Sequence, residues 1–327
     1  EKTCLLSRIR SVGCLGTMRL LLAALLSTLI LGVVGTYQVL REFRPPTAAE
    51  IHAQRLLVCS TTQTADFARQ IVGDRWRVVS ILAAGQDPHL YELKPGDATL
   101  VAQADLCVEN GWNLEGHGWM ERLARGASKP LVTCVTGVEP LILDEEGEAV
   151  YDPHAWFAPR NAAIYVRNIL AGVIRVDPAE AGWYERRAEL YLRQLDTFDA
   201  WAQRELETVP ESQRILVTSH DAFHYFCRAY GYRAAAPTGW STGDEMGAGA
   251  TNERRQRVVQ SIRDFGVKAI FVETSVNPKL LRAIAQDAGV QIGGELYSDS
   301  MGPPGSAGET YLGMLRENVL TIVEGLR

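Results

Sequence analysis

Two stretches far apart in the chain share the order Asp-Pro-His: "GQDPHLYELKPGD" from Gly85 to Asp97, and "YDPHAW" from Tyr151 to Trp156. Proline fixes φ and biases its neighbour away from helix, so Asp-Pro alone reads as a turn. A turn does not require the histidine that follows each time, and the chain has only six histidines. A third histidine, His220 in "TSHDAF", and an aspartate, Asp299 in "YSDS", extend the set. Three imidazoles and one carboxylate make a complete tetrahedral shell for a borderline ion such as Zn²⁺.

The surrounding elements must bring these residues together. Short apolar runs alternate with helical patterns: "RLLVCS" then "TQTADFARQIVG", "WRVVSIL" then "DATLVAQ", "ADLCVEN" then "NLEGHGWMERLARG", and "PLVTCV". An acidic loop, Thr136–Tyr151, then delivers the second Asp-Pro-His, and "NAAIYVRNILAGVIR" is again helical. This alternation predicts a parallel sheet covered by helices. From Asp177 and Pro178 to Val209 the pattern changes. Tyr184, Ala188, Tyr191, Leu195, Phe198 and Ala202 recur at four-three spacing, which predicts one long helix of roughly 45 Å with a single apolar stripe. Strand–helix alternation resumes with "RILVTS", "DAFHYFCRAYG", "YRAAAP", the Gly-rich "TGWSTGDEMGAGA", "VKAIFVE", "NPKLLRAIAQDAG", "VQIGGELY" and a closing helix. The expected fold is α/β: two lobes, each a parallel sheet flanked by helices, joined by one long backbone helix. The expected divisions are 1–46 (extension, signal or anchor, and linker), 47–176, the helix 177–210, and 211–327.

In this layout His89 follows the second strand, His154 the fourth by a long loop, His220 "RILVTS", and Asp299 "VQIGGELY". All four fall just past the carboxyl ends of strands, where open parallel sheets bind ligands. Such scattered spacing fits a cleft between lobes and not a local zinc-finger knot. On the residues alone Asp299 stays open between a ligand and an ordinary turn residue. His224 is read as a packing residue, and His117 and His52 as incidental.

The formal net charge is −6; residues 1–44 carry a net +4, which leaves −10 on the remainder. A body that acidic argues against nucleic acid and anionic lipid as partners and is compatible with a cation. "MRLLLAALLSTLILGVVGTYQVL", Met18 to Leu40, is basic at its front and then apolar for about the length of a membrane span. It reads as a secretory signal or an uncleaved anchor, with Met18 as the natural start, and places the body outside the cytoplasm. Membrane contact is expected only through this segment. Cys59, Cys107, Cys134 and Cys227 lie in apolar contexts and are expected as small buried hydrophobes, although export leaves a disulfide open.

The motifs "GQDPHLYELKPGDATLVAQADLCVENGWNLE", "YDPHAWFAPRNAAIYVRNI", "VTSHDAFHYFCRAYG", "GWSTGDE", "AIFVETS" and "LYSDSM…TYLGMLRENV" occur in that order. Together they closely resemble the periplasmic or surface solute-binding proteins of zinc and manganese ABC transporters. The resemblance runs from about Arg55 to Arg327. It implies a monomeric, non-enzymatic carrier that holds a divalent metal ion between two lobes and delivers it to an ABC permease. By motif it assigns the ligands to His89, His154, His220 and Asp299. Two departures from the family pattern bear on the ion. Zinc members often carry a His-rich loop where Thr136–Tyr151 is short and acidic, and manganese members often have Glu where this chain has His220. Imidazole in place of a hard carboxylate moves a site toward Zn²⁺, so zinc is the expected cargo and Mn²⁺ the alternative. A zinc hydrolase, with Asp299 or Glu273 as base, is the competing enzymatic class. It lacks a His-Glu-x-x-His run, and four ligands leave no open position. A surface adhesin with an incidental metal is a third class.

Overall fold

The computed structural model describes residues 54–145, 148–218, 220, 222–235, 252–274 and 278–327. The apolar segment Met18–Leu40 and the Gly-rich stretch from Thr238 to Ala250 lie outside them.

The apolar runs that read as strands form the first sheet. β1 (Arg55–Cys59) pairs in parallel with β2 (Trp76–Ser80) and β3 (Leu106–Glu109), and β3 pairs with β4 (Leu131–Thr133), giving the order β2-β1-β3-β4. Strands buried on both faces must be apolar throughout, as Leu56–Cys59 and Leu106–Val108 are. α1 (Thr62–Val72) starts at a capping box in which Thr61 and Thr64 satisfy each other's backbone N–H groups. It buries Phe67, Ala68, Ile71 and Val72. α2 (Pro95–Gln103) and α3 (Trp119–Gly126) complete this lobe with α4 (Pro159–Val176).

α5 (Ala181–Leu206) follows a 3₁₀ turn at Pro178–Glu180. Its 26 residues span about 39 Å at 1.5 Å per residue. The helix is shorter than the pattern predicts because Asp177–Glu180 turn before it begins. Of its predicted stripe, Tyr184, Ala188, Tyr191, Leu195 and Ala202 are buried, while Phe198 is half-exposed against Trp201.

Beyond α5 the second lobe contains β7 (Ile215–Val217), α6 (His224–Tyr230), β8 (Arg233–Ala235), α7 (Asn252–Phe265), β9 (Ala269–Glu273), α8 (Pro278–Ala288), β10 (Gln291–Leu296) and α9 (Tyr311–Leu326). Parallel pairs join β7 to β8 and β9 to β10, and β7 lies beside β9. The fold is therefore two α/β lobes with parallel sheets flanked by helices and one long connecting helix.

Two local readings differ from the sequence expectation. The acidic loop before the second Asp-Pro-His contains an antiparallel hairpin, β5 (Ile142–Glu145) with β6 (Glu148–Tyr151). Acidic residues masked its strand pattern. The helix expected from Asn113 starts only at Trp119, because Gly111, Trp112, Asn113, His117 and Gly118 all have positive φ. The four body cysteines are buried free thiols, with no bridge among the described residues.

The main core runs from α1 and the first sheet through α4 and α5 to α6, β10 and α9. Phe67 sits at its centre, with ring centroids 6.0 Å from Tyr165, 6.4 Å from Tyr191 and 4.6 Å from Tyr311. A smaller core of Val217, Ile262, Ile270, Val272, Leu281 and Ile284 fills the outer second lobe.

Candidate metal centre

The repeated Asp-Pro-His has a local cause. The Asp87 carboxylate accepts the His89 backbone N–H at 2.7 Å, and Asp152 accepts that of His154 at 2.9 Å. Each aspartate closes a turn over the proline and holds the histidine two residues on. The two loops are thus the same device used twice. The loop at 110–119 braces both. Asn110 Nδ2 donates to the Pro153 carbonyl at 2.9 Å, and Trp119 Nε1 donates to that of Pro88 at 3.3 Å. At Gly116 an added Cβ would come within 2.1 Å of the His89 carbonyl oxygen, so the close approach requires glycine. Glu115, fully inside, anchors the loop by accepting from Ser60 Oγ and the Asn110 and Gly111 backbone N–H groups.

His89, His154, His220 and Asp299 converge. One side-chain nitrogen or oxygen from each lies within 4.8 Å of all the others. His89 Nε2 is 3.3 Å from His154 Nε2, and the Asp299 oxygens are each 3.3 Å from one Nε2, Oδ1 to His154 and Oδ2 to His220. A tetrahedron with metal–nitrogen bonds of about 2.05 Å has edges of about 3.3 Å. Three of the six ligand pairs stand at that spacing, Asp299 reaching each ring with a different oxygen, and one donor atom from each residue lies within 4.8 Å of the rest. His154, His220 and Asp299 are buried, and His89 is the most open of the four. Among the described residues, both ring nitrogens of His220 and Asp299 Oδ1 are buried without a hydrogen bond of good geometry, so Glu273 meets His220 Nδ1 as a close charge contact.

Behind the ring nitrogens stand two further carboxylates. Asp152 Oδ1 is 2.8 Å from His154 Nδ1, and Glu273 Oε2, at the end of β9, is 2.6 Å from His220 Nδ1. Glu273 Oε1 also accepts the His220 N–H at 3.0 Å. A carboxylate on Nδ1 fixes the ring orientation and directs the Nε2 lone pair to the centre. The sequence offered Glu273 only as a hydrolytic base and Asp152 only as a turn residue. The recurrence of Asp two before His was the available signal for Asp152; Glu273 closes the strand-like run "VKAIFVE", but nothing there tied it to His220, 53 residues away. His224 Nδ1 lies 3.6 Å from Asp152 Oδ2, which brings it to the edge of the network; His117 stays outside the cluster, and His52 lies outside the described residues.

Charge follows this geometry. Burial pushes His89 down to about 4, against the pull of Asp299. Burial also works to lower His154, but Asp152 and Asp299 outweigh it and raise the ring to about 9. His220 is likewise raised well above the ordinary value, the Glu273 and Asp299 carboxylates overcoming its burial. Burial would raise Asp299, yet His220 and His154 hold it well below the usual carboxylate range. The metal-free centre is therefore a compensated set of imidazolium and carboxylate groups whose positive members can be replaced by a cation.

Two parallel-sheet lobes, one long connecting helix and a buried cluster of imidazoles and carboxylate define the class of solute-binding proteins built for metal ions. The chain belongs to the family of periplasmic component A of the zinc-uptake complex, whose model matches residues 57–325. The manganese-binding lipoprotein MntA of Halalkalibacterium halodurans is 35% identical over 270 residues, 83% of this chain and 88% of its own. The periplasmic zinc binding protein TroA from Treponema pallidum superposes with a TM-score of 0.76 at 33% identity, covering 84% of this chain and 99% of that one. The Mn-bound periplasmic metal binding protein from Candidatus Liberibacter asiaticus gives a TM-score of 0.74 at 26% identity, covering 84% and 100%.

Proposed function

We propose that this protein captures a divalent first-row metal ion outside the cytoplasm and delivers it to an ABC permease. The observation that carries the reading is the meeting of His89, His154, His220 and Asp299 within 4.8 Å of one another, from four separate loops. The ion is cargo, held by Nε2 of three imidazoles and by the Asp299 carboxylate. Four protein donors fill a tetrahedral shell and leave no open position for an activated water, so we read a carrier and not a hydrolase. Glu273, engaged with His220 Nδ1, acts in this reading as a support for that ring. The periplasmic family description and the lipoprotein name of the MntA relative support an extracytoplasmic location. No helix among the described residues is long and apolar enough to cross a membrane.

On the identity of the cargo two supports point apart. The donor set, rich in imidazole, favours zinc, whereas several curated relatives, MntA among them, are named for manganese, and they support that reading better than the zinc one. The affinity order of first-row metals reconciles them: a nitrogen-oxygen site binds Zn²⁺ more tightly than Mn²⁺, and availability decides what is carried. Competition titration of metal-free protein should therefore show tighter Zn²⁺ than Mn²⁺, one ion per chain. Metal analysis of protein recovered from its own compartment would report the cargo. Failure to bind either ion would remove the reading.

A further inference from the structure

Asp299 follows β10 of the second lobe, yet the chain around it is bonded to the first. The Ser298 carbonyl accepts Gln63 Nε2 at 3.1 Å. The Met301 N–H donates to Thr62 Oγ1 at 2.9 Å, and that hydroxyl donates in turn to Gln63 Oε1 at 3.0 Å. Thr62 and Gln63, neighbours in the first turn of α1, thus clasp the residues on both sides of Asp299 in one relay. The Gly85 N–H, from the loop that carries His89, donates to Ser300 Oγ at 2.7 Å. Further on, the Tyr311 N–H donates to Asp66 Oδ2 at 3.1 Å, again on α1. Gln63, Ser298, Asp299, Ser300 and Met301 are all buried. Just before this stretch, ties to the second lobe hold the chain: the Leu296 carbonyl accepts the Thr274 N–H at 2.9 Å and Tyr297 is bonded to Asn318.

His220 is secured in the opposite sense, by Glu273 of β9 through both its backbone N–H and Nδ1. Two ligands from each lobe is what chain order suggests, and the hydrogen bonds divide the ligands differently. We infer that Thr62 and Gln63 are positioning residues that lock Asp299 to the first lobe, so that the centre divides three to one. His89, His154 and Asp299 form a pre-arranged set on one body, and His220 is the ligand that the second lobe adds. A largely buried relay, with Thr62 partly exposed and its partners inside, holds its shape, whereas removing one member leaves the others unpaired. Capture then begins on three ligands and is completed by His220, and release requires withdrawal of His220 with Glu273 alone.

The inference rests on the proposed metal site, and the test separates the two. Zinc affinity would be measured by competition with a chromophoric chelator for the unaltered protein, Thr62→Val, Thr62→Ser, Gln63→Leu and His220→Ala. Amide exchange of the metal-free proteins would be followed at Met301 and Gly85. Thr62→Val and Gln63→Leu should weaken zinc by about ten- to a hundredfold, the range seen for supports behind metal ligands. Thr62→Ser, which keeps the hydroxyl, should restore affinity to within about threefold of the unaltered protein, on the same scale. His220→Ala should still take one zinc per chain, more weakly. In the metal-free protein the Met301 amide should be protected like α1, and lose that protection in Thr62→Val.

Unchanged zinc affinity in both Thr62→Val and Gln63→Leu would overturn the positioning role, as would a Thr62→Ser variant as weak as Thr62→Val. Loss of all zinc in His220→Ala would overturn the three-to-one division. If the unaltered protein bound no metal, the proposed function would fall, and the exchange data would still judge the clasp. Equal Met301 protection in the unaltered protein and Thr62→Val would reject it.

Discussion

His154 and His220 show what a cation must displace. In the metal-free protein His154 is raised to about 9 and His220 is also raised well above the ordinary value, both by neighbouring carboxylates acting against burial. These shifts favour the protonated ring at pH 7, firmly for His154 and in the same direction for His220, and a metal needs the lone pair that the proton occupies. Uptake should therefore release a proton from each of these two rings. Affinity should climb as pH rises toward about 9 and weaken progressively below it. His89, lowered to about 4, is already neutral at pH 7 and adds nothing until strongly acid conditions. Ordinary imidazoles would place the fall at about 6.5. Calorimetry at pH 7 in buffers of different ionisation enthalpy counts the protons, and a count of zero would contradict this account.

The loops set the ligand positions, and one glycine shows how tightly. The turn made by Asp87 holds His89 from within its own loop, while Gly116 backs it from the neighbouring one. The obstacle to a side chain at 116 is the His89 carbonyl, a backbone atom that cannot rotate away. Gly116→Ala should push the His89 loop outward and cost about tenfold or more in metal affinity, the scale of lost ligand supports. Gly126→Ala, at the end of α3 where nothing lies within 4 Å of the added carbon, should leave affinity unchanged. Parallel zinc titrations of the two variants would make the comparison, and equal behaviour would remove the bracing role of loop 110–119.

Across the molecule, the long helix α5 joins the lobes and its buried stripe lies in the main core. That core includes α1 of the first lobe and Phe271, Leu296 and Met314 of the second, so the lobes share buried apolar surface. Phe67 is fully buried at the meeting of α1, α4, α5 and α9. Phe67→Ala should lower the unfolding free energy by about 3–5 kcal/mol, combining lost transfer energy with the cavity left behind. Urea unfolding of metal-free protein measures it, and a loss under about 1 kcal/mol would show that the surrounding rings close the gap.

Periodicity and chemistry are local properties, and the sequence determined what depends on them. The apolar runs marked β1, β3 and β9, and the four-three spacing of Tyr184 to Ala202 marked the long helix. The rarity of histidine, together with Asp-Pro-His used twice, singled out His89 and His154, whereas Asp299 stayed open on the residues alone; the structure places both histidines beside His220 and Asp299. The hairpin β5–β6 was hidden because acidic residues blur the alternation of an exposed strand. Glu273 behind His220, and Gln63 beneath Ser298 from 235 positions away, were hidden for a deeper reason. Hydrogen bonds between remote segments leave no spacing in the chain, so only the packed tertiary structure decided which carboxylate holds which ring and which lobe carries Asp299.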